Sequence, residues 1–201
     1  VAGIMILSFV WHLVWLPPGQ RAADAPATVA AAVRTSLDAW VSFFKKKQIW
    51  MMIVAVFFYR FGEGFIEKIG PLFLKDPRGA GGLGLDNYVL GNINGTVGTI
   101  TYIAGTMLGG ALAARYSVRR AFFPLAFALN VPHLTYFYLS QALPSDVYLI
   151  TTVVAIEKFG FGMGSVGHML YMMQQIAPGP FRMAHYAMAT GVMALTKWGT
   201  G

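Results

Sequence analysis

Apolar residues fall along this chain in long blocks and seldom alternate with polar ones. Three stretches carry no charged residue: Tyr88 to Ala114 (27 residues), Ala121 to Ser145 (25) and Phe159 to Phe181 (23). A helix crossing a bilayer needs about 20 predominantly apolar residues. Backbone in lipid must satisfy its own hydrogen bonds, so runs of this length read as spanning helices. The pattern predicts six segments. They are Val1 to about Leu16, ended by Pro17-Pro18; about Gln48 to Leu74, interrupted by charges; about Tyr88 to Ala114; about Ala121 to Leu143; about Asp146 to Met173; and one that starts near Met183. The expected fold class is all-α, a polytopic membrane helical bundle.

Composition agrees with that reading. Hydrophobic residues make up 56% of the 201, and charged ones only 11%, against roughly 25% in a soluble domain. Mean hydropathy is +0.57. Without cysteine there is no disulfide framework, thiolate metal site or Cys nucleophile. The net charge of +7 fits a bias of basic residues to the cytoplasmic loops, with no nucleic-acid partner expected. Loops 20–47, 115–120 and 174–183 hold nine Lys and Arg: Arg21, Arg34, Lys45, Lys46, Lys47, Arg115, Arg119, Arg120 and Arg182. The opposite loops hold two, Lys75 and Arg78. The first set is therefore expected in the cytoplasm. The first helix then enters from outside, and an odd number of helices is expected before it. Val1 lies inside an apolar run with no basic region before it, so a signal peptide is not expected and the chain reads as an internal piece.

Residues 20–32 are rich in Ala and Pro and read as a linker. Beyond them Val33, Leu37, Trp40, Val41 and Phe44 recur at helical spacing and end at Lys45-Lys46-Lys47. Such a helix either lies on the inner membrane face or packs on the end of another helix.

Charges at membrane depth are costly and by default mark pathways or relays. Arg60, Glu63 and Glu67 share one face of the second segment. At 1.5 Å per residue from Gln48, Arg60 lies about 18 Å in and Glu63 about 22 Å. Glu67 and Lys68 fall near the outer interface. Glu157 lies about 15 Å into the fifth segment, at the midplane. Glu157 and Lys158 project about 100° apart, so one is expected in a cavity and the other against a neighbouring helix. Polar candidates for the cavity are Tyr59, Asn130 and His133, with Asn92, Asn94, Thr96, Thr99 and Thr101 more suited to bonds between helices. His168 reads as a structural histidine, and Tyr171 as core that could also stack on a sugar ring. Lys197 has no visible partner.

Gly91/Gly95, Gly105/Gly109 and Gly160/Gly164 have the spacing that lets helix backbones approach. Gly62, Gly64 and Gly70-Pro71 are placed to loosen the second segment. Residues 79–84 and 162–167 both match G-x-G-x-x-G, but neither follows a strand, so no dinucleotide cofactor is implied. Asn94-Gly95-Thr96 is a glycosylation sequon inside a span. Neither metal-ligand spacing nor a Ser/His/Asp arrangement is found, so no cofactor, metal or enzymatic activity is expected.

Gly110-Ala-Leu-Ala-Ala-Arg115-Tyr-Ser-Val-Arg119-Arg120 resembles a degenerate form of the major facilitator loop motif G-x-x-x-D-R-x-G-R-R, with Ala114 for the Asp and Ser117 for the Gly. More specifically, Tyr59-Arg60-Phe61-Gly62-Glu63-Gly64-Phe65 resembles the Y-K-x-G-D-x-F pattern of AmpG-type muropeptide permeases. Residues 157–164 resemble their E-N-x-x-x-G-M-G helix, and Phe181 to Leu195 their F-x-A-T-Q-x-A-L-L-S segment. Arg182, Met183 and His185 stand where that family has a polar Ala-Thr-Gln run, and the loop 75–86 is longer and Gly-rich. The resemblance implies helices 6 to 11 of a twelve-helix transporter. Residues 1–19 would end the N-terminal half, 20–47 would form the cytoplasmic linker, and 48–201 an incomplete C-terminal half.

The implied function is a proton-coupled inner-membrane permease working by alternating access on a muropeptide, glycoconjugate or sugar. Glu63, Glu157, Arg60 and Lys158 would serve the solute or the proton. Gly110, Arg115, Arg119 and Arg120 would form the loop motif. Expected partners are the solute, protons, membrane lipid and the N-terminal half of the same chain. The alternatives are a cation-coupled sugar symporter of another major facilitator family and, less favoured, an integral membrane transferase.

Overall fold

A computed structural model describes residues 2–15 and 28–198, with the side chain of Lys197 left out. Pro17-Pro18, Arg21, most of the Ala/Pro-rich linker and the Lys197 side chain lie outside the described residues. By contacts the chain divides at residue 38 into units of residues 1–38 and 39–201.

The first unit holds α1 (Ala2–Trp15) and the start of α2 (Val29–Phe44). α1 has apolar side chains all round and none of them buried. That is the composition of a helix solvated by lipid or packed by another part of a protein.

The second unit takes up the end of α2 and runs through α3 (Ile49–Tyr59), α4 (Phe61–Lys75), a short α5 (Asn87–Gly91), α6 (Gly98–Tyr116), α7 (Val118–Asn130), α8 (Leu134–Ala142), α9 (Val147–Tyr171) and α10 (Arg182–Trp198). The described residues form helices joined by turns, without strands. Three continuous segments are long and apolar enough to cross a membrane: Ile49–Lys75, Asn87–Tyr116 and Val147–Ile176. The expected fourth span is two helices, α7 and α8, divided by a 3₁₀ turn at Val131–His133. Pro132 lies in that turn and cannot donate a backbone hydrogen bond.

α9 is the central post, with α6 on one side and α7 on the other. The close approach depends on glycine. A Cβ at Gly162 would lie 2.1 Å from the Tyr102 carbonyl oxygen, and one at Gly105 would lie 2.0 Å from that of Phe159. Gly109 and Gly160 are equally blocked by neighbouring carbonyls, and Gly164 by the Leu129 Cβ and the Leu125 carbonyl. Gly91 and Gly95, expected to pack in the same way, meet nothing within 4 Å. Gly95 lies inside a π-helical stretch, Asn92–Val97, which comes between Gly91 and the packed glycines Gly105 and Gly109. Its wider turn advances fewer degrees per residue, so a sequence spacing carried across it no longer keeps one face.

The apolar face predicted on α2 is not the face that docks. Val33, Leu37, Trp40, Val41 and Phe44 remain 43–60% exposed, whereas Ala39 and Phe43 are buried. The Phe43 ring meets His185 of α10, 5.7 Å between centroids. Within the second unit, the end of α2 therefore seats Ala39 and Phe43 inward and leaves Trp40, Val41 and Phe44 open. Lys46 leaves the exposed lysine run to donate to the carbonyls of Ile176 and Pro178, where the long fifth segment ends. A cation there satisfies otherwise orphaned acceptors and complements the helix dipole. Partial burial pushes its amine below the usual lysine range.

The Gly-rich loop 75–86 is a folded clasp and forms no phosphate cradle. Leu83 and Leu85 donate backbone hydrogen bonds to Phe73 and Leu74. Gly82 sits against the Asp76 carbonyl, where a Cβ would lie at 2.2 Å. Arg78 donates to the carbonyls of Leu143 and Pro144, which ties this loop to the turn between α8 and α9. The second glycine match lies inside α9.

Candidate functional site: a charged groove between spans

The second segment breaks at Arg60. Its φ of −114° and ψ of 11° interrupt the helical path between α3 and α4. The break frees backbone groups, and a membrane helix tolerates this only where neighbours satisfy them. Asn130 does so, donating its side-chain amide to the Tyr59 carbonyl at 3.1 Å and to Ala126 at 2.9 Å. The predicted cavity residue Asn130 is thus a brace behind the site. Tyr59 is likewise turned inward. It is buried, its hydroxyl donates to the Gly164 carbonyl at 3.0 Å, and its ring stacks on His168, 4.7 Å between centroids. Tyr171 joins the same packing through Phe122.

The break also presents charge. Glu63 lies in the first turn of α4, where the helix dipole favours an anion. Arg60 grips both of its carboxylate oxygens through Nε and Nη2. The guanidinium also lies over the Phe161 ring, 5.3 Å from its centroid. Two-point contact and stacking on an aromatic face both suit arginine's planar fork.

On α9, Glu157 is 1% exposed. Lys158 Nζ lies 3.1 Å from its Oε2, and 6.0 Å from the centroid of the same Phe161 ring. This corrects the expectation that the two neighbours would part company. Their Cα–Cβ bonds do diverge, but the four-carbon lysine stem bends back across the difference. Behind Glu157, His133 Nδ1 lies 3.8 Å from its Oε1, beyond hydrogen-bond reach.

These groups border one groove of about 330 Å³. Arg60, Glu63, Ile66 and Glu67 come from the second segment, Asn94, Gly98, Thr99 and Tyr102 from the third, and Glu157, Lys158 and Phe161 from α9. All four residues expected to carry the solute or proton share it. Tyr59, Asn130 and His133 do not line it. Tyr102 and Phe161 were not anticipated, since an aromatic residue in an apolar run reads as packing. Their only signal was the position of Phe161 one helical turn beyond Glu157. The groove joins two cations, three carboxylates and two aromatic rings, a mixture that suits a polar solute with apolar faces. No cluster of three or more metal-ligating side chains occurs among the described residues.

The loop-motif residues are elsewhere. Gly110 borders open space, and Arg115 lies over Tyr116, 5.6 Å from the ring centroid. Ser117 adopts φ 65° and ψ 152°, a conformation that is essentially glycine's. The motif has Gly at that position.

The chain is 26% identical over 157 residues to the anhydromuropeptide permease of Escherichia coli (strain K12), and equally to that of Escherichia coli O157:H7. The matched stretch is 78% of this chain and 30% of the length of those relatives. The sequence pattern of the Major Facilitator Superfamily matches residues 1–199. With its all-helical membrane bundle, the chain belongs to the Major Facilitator Superfamily of transporters and resembles an anhydromuropeptide permease.

Proposed function

We propose that the chain is part of a proton-coupled permease that carries an anhydromuropeptide or related glycoconjugate across a bacterial inner membrane by alternating access. The observation that carries this reading is the convergence of Arg60–Glu63 and Glu157–Lys158 on one groove. Two ion pairs in low dielectric are costly to keep as mere staples, and their cations, more accessible from the groove than the carboxylates, are placed for a solute anion to exchange for one partner of each. Tyr102 and Phe161 offer flat apolar faces for a sugar ring, and Asn94 and Thr99 offer hydrogen bonds. In this reading α1 is helix 6, the segment around α2 is the linker between halves, and α3 to α10 belong to helices 7 to 11. The N-terminal half of the full-length protein would complete the groove, and the loops 20–47 and 115–120 would face the cytoplasm.

Glu157 is assigned the coupling role because it is buried at the groove floor and held by one flexible lysine. When it takes up a proton, Lys158 is released toward the solute. When it loses the proton, the pair reforms. The test uses the full-length protein in proteoliposomes with an imposed pH gradient and a labelled anhydromuropeptide. Glu157→Gln is expected to abolish gradient-driven accumulation while leaving solute exchange partly intact. Undiminished accumulation in that variant would remove Glu157 from coupling, and no uptake by the wild type would overturn the substrate assignment.

A further inference from the structure

At the elbow between α2 and the second segment, three rings form a ladder. Trp40 stacks on Phe44 with 6.0 Å between centroids, and Phe44 meets Trp50 at 5.5 Å. The last contact closes the turn 45–48, in which Gln48 takes φ 62°. All three rings are exposed, Trp50 by 66%. Of the three lysines on the turn, Lys46 is spent on the carbonyls of Ile176 and Pro178, while Lys45 and Lys47 are exposed. No acidic residue lies between Asp38 and Glu63, so nothing in the local sequence offsets those two charges.

The ladder is continuous with the outer wall of the second segment, where Met51, Val54 and Phe58 are also exposed. In a membrane that wall meets acyl chains. Aromatic rings at its end then lie at headgroup depth, where Trp is favoured. Two uncompensated cations at the same depth meet phosphate.

We propose that this elbow is a binding site for one anionic phospholipid. Lys45 and Lys47 hold the headgroup phosphate, and the Trp40–Phe44–Trp50 ladder lies along the glycerol and upper acyl chains. The site is independent of the solute groove, and it anchors the end of α2 to the bilayer at the start of the broken segment that carries Arg60 and Glu63.

The test is native mass spectrometry of the full-length protein in detergent, titrated with phosphatidylglycerol or phosphatidylcholine. Each lysine near an anionic surface contributes about a fivefold factor, so the Lys45→Gln/Lys47→Gln double variant is expected to bind phosphatidylglycerol roughly twenty-five-fold more weakly. The Trp40→Leu/Trp50→Leu variant, which keeps apolar bulk, is expected to weaken binding of both lipids. Arg119→Gln/Arg120→Gln, altering another basic loop, is expected to leave the tightest phosphatidylglycerol unchanged. Equal retention by wild type and the lysine variant, an equal loss in the arginine variant, or phosphatidylcholine bound as tightly as phosphatidylglycerol each overturns the proposal. So does unchanged binding in the tryptophan variant.

Discussion

Ser117 shows how one side chain can be at odds with its backbone. Its φ of 65° with ψ of 152° places it where the turn between α6 and α7 needs a residue without a Cβ. Strain of this kind costs about 1–3 kcal/mol. Ser117→Gly is therefore expected to raise the thermal midpoint of the purified protein, by an amount equivalent to roughly 1 kcal/mol or more. A lowered midpoint would mean that the serine hydroxyl contributes more than the backbone strain costs. Glu157 and Lys158 make a related point. Backbone direction alone separates them, yet the lysine stem reunites them at 3.1 Å. Side-chain length decided what helical periodicity could not.

At the level of elements, the bundle depends on how close α6 and α7 come to α9. Adding one methyl group at Gly162 would put carbon 2.1 Å from the Tyr102 carbonyl oxygen. That atom is backbone and can yield only if a helix moves, so overpacking should cost about 1–3 kcal/mol. Gly162→Ala is expected to lower the melting temperature and the yield of monodisperse protein. Gly191→Ala in α10 is the matched control, because nothing lies within 4 Å of its added carbon. There the helix propensity gain of up to about 1 kcal/mol should appear undiluted. Equal melting of the two variants would show that the α6–α9 contact is looser than described. The glycine pairs at 105/109 and 160/164 were legible as packing sites from spacing alone. The pair at 91/95 was not, because the π-helical stretch that turns their face away has no sequence marker as plain as a proline.

For the whole molecule, the arrangement of basic residues makes a topological prediction. With α7 and α8 counted as one broken crossing, the loop at Ser117 and the clasp at Gly79 fall at opposite ends of the third span. Single cysteines placed at the two positions in the full-length protein should label from opposite sides of the membrane. Neither site needs a background cysteine removed within this stretch, which has none. Labelling of both by one impermeant reagent would overturn the orientation read from nine basic residues against two.

Membrane residence, helical class, approximate span positions and the identity of the intramembrane charges were determined by the sequence itself. The reason is physical: lipid imposes a length and polarity rule on each segment separately, so each can be judged in isolation. Convergence cannot be judged that way. Only the tertiary structure decided that Arg60, Glu63, Glu157 and Lys158 share a groove, that both cations lie near the Phe161 ring, and that Asn130 and Tyr59 stand behind the site as braces. Those outcomes depend on the helix break at Arg60 and on the rotation of α9 against its glycine contacts. Both are settled by packing between segments distant in the chain, where no local pattern records them.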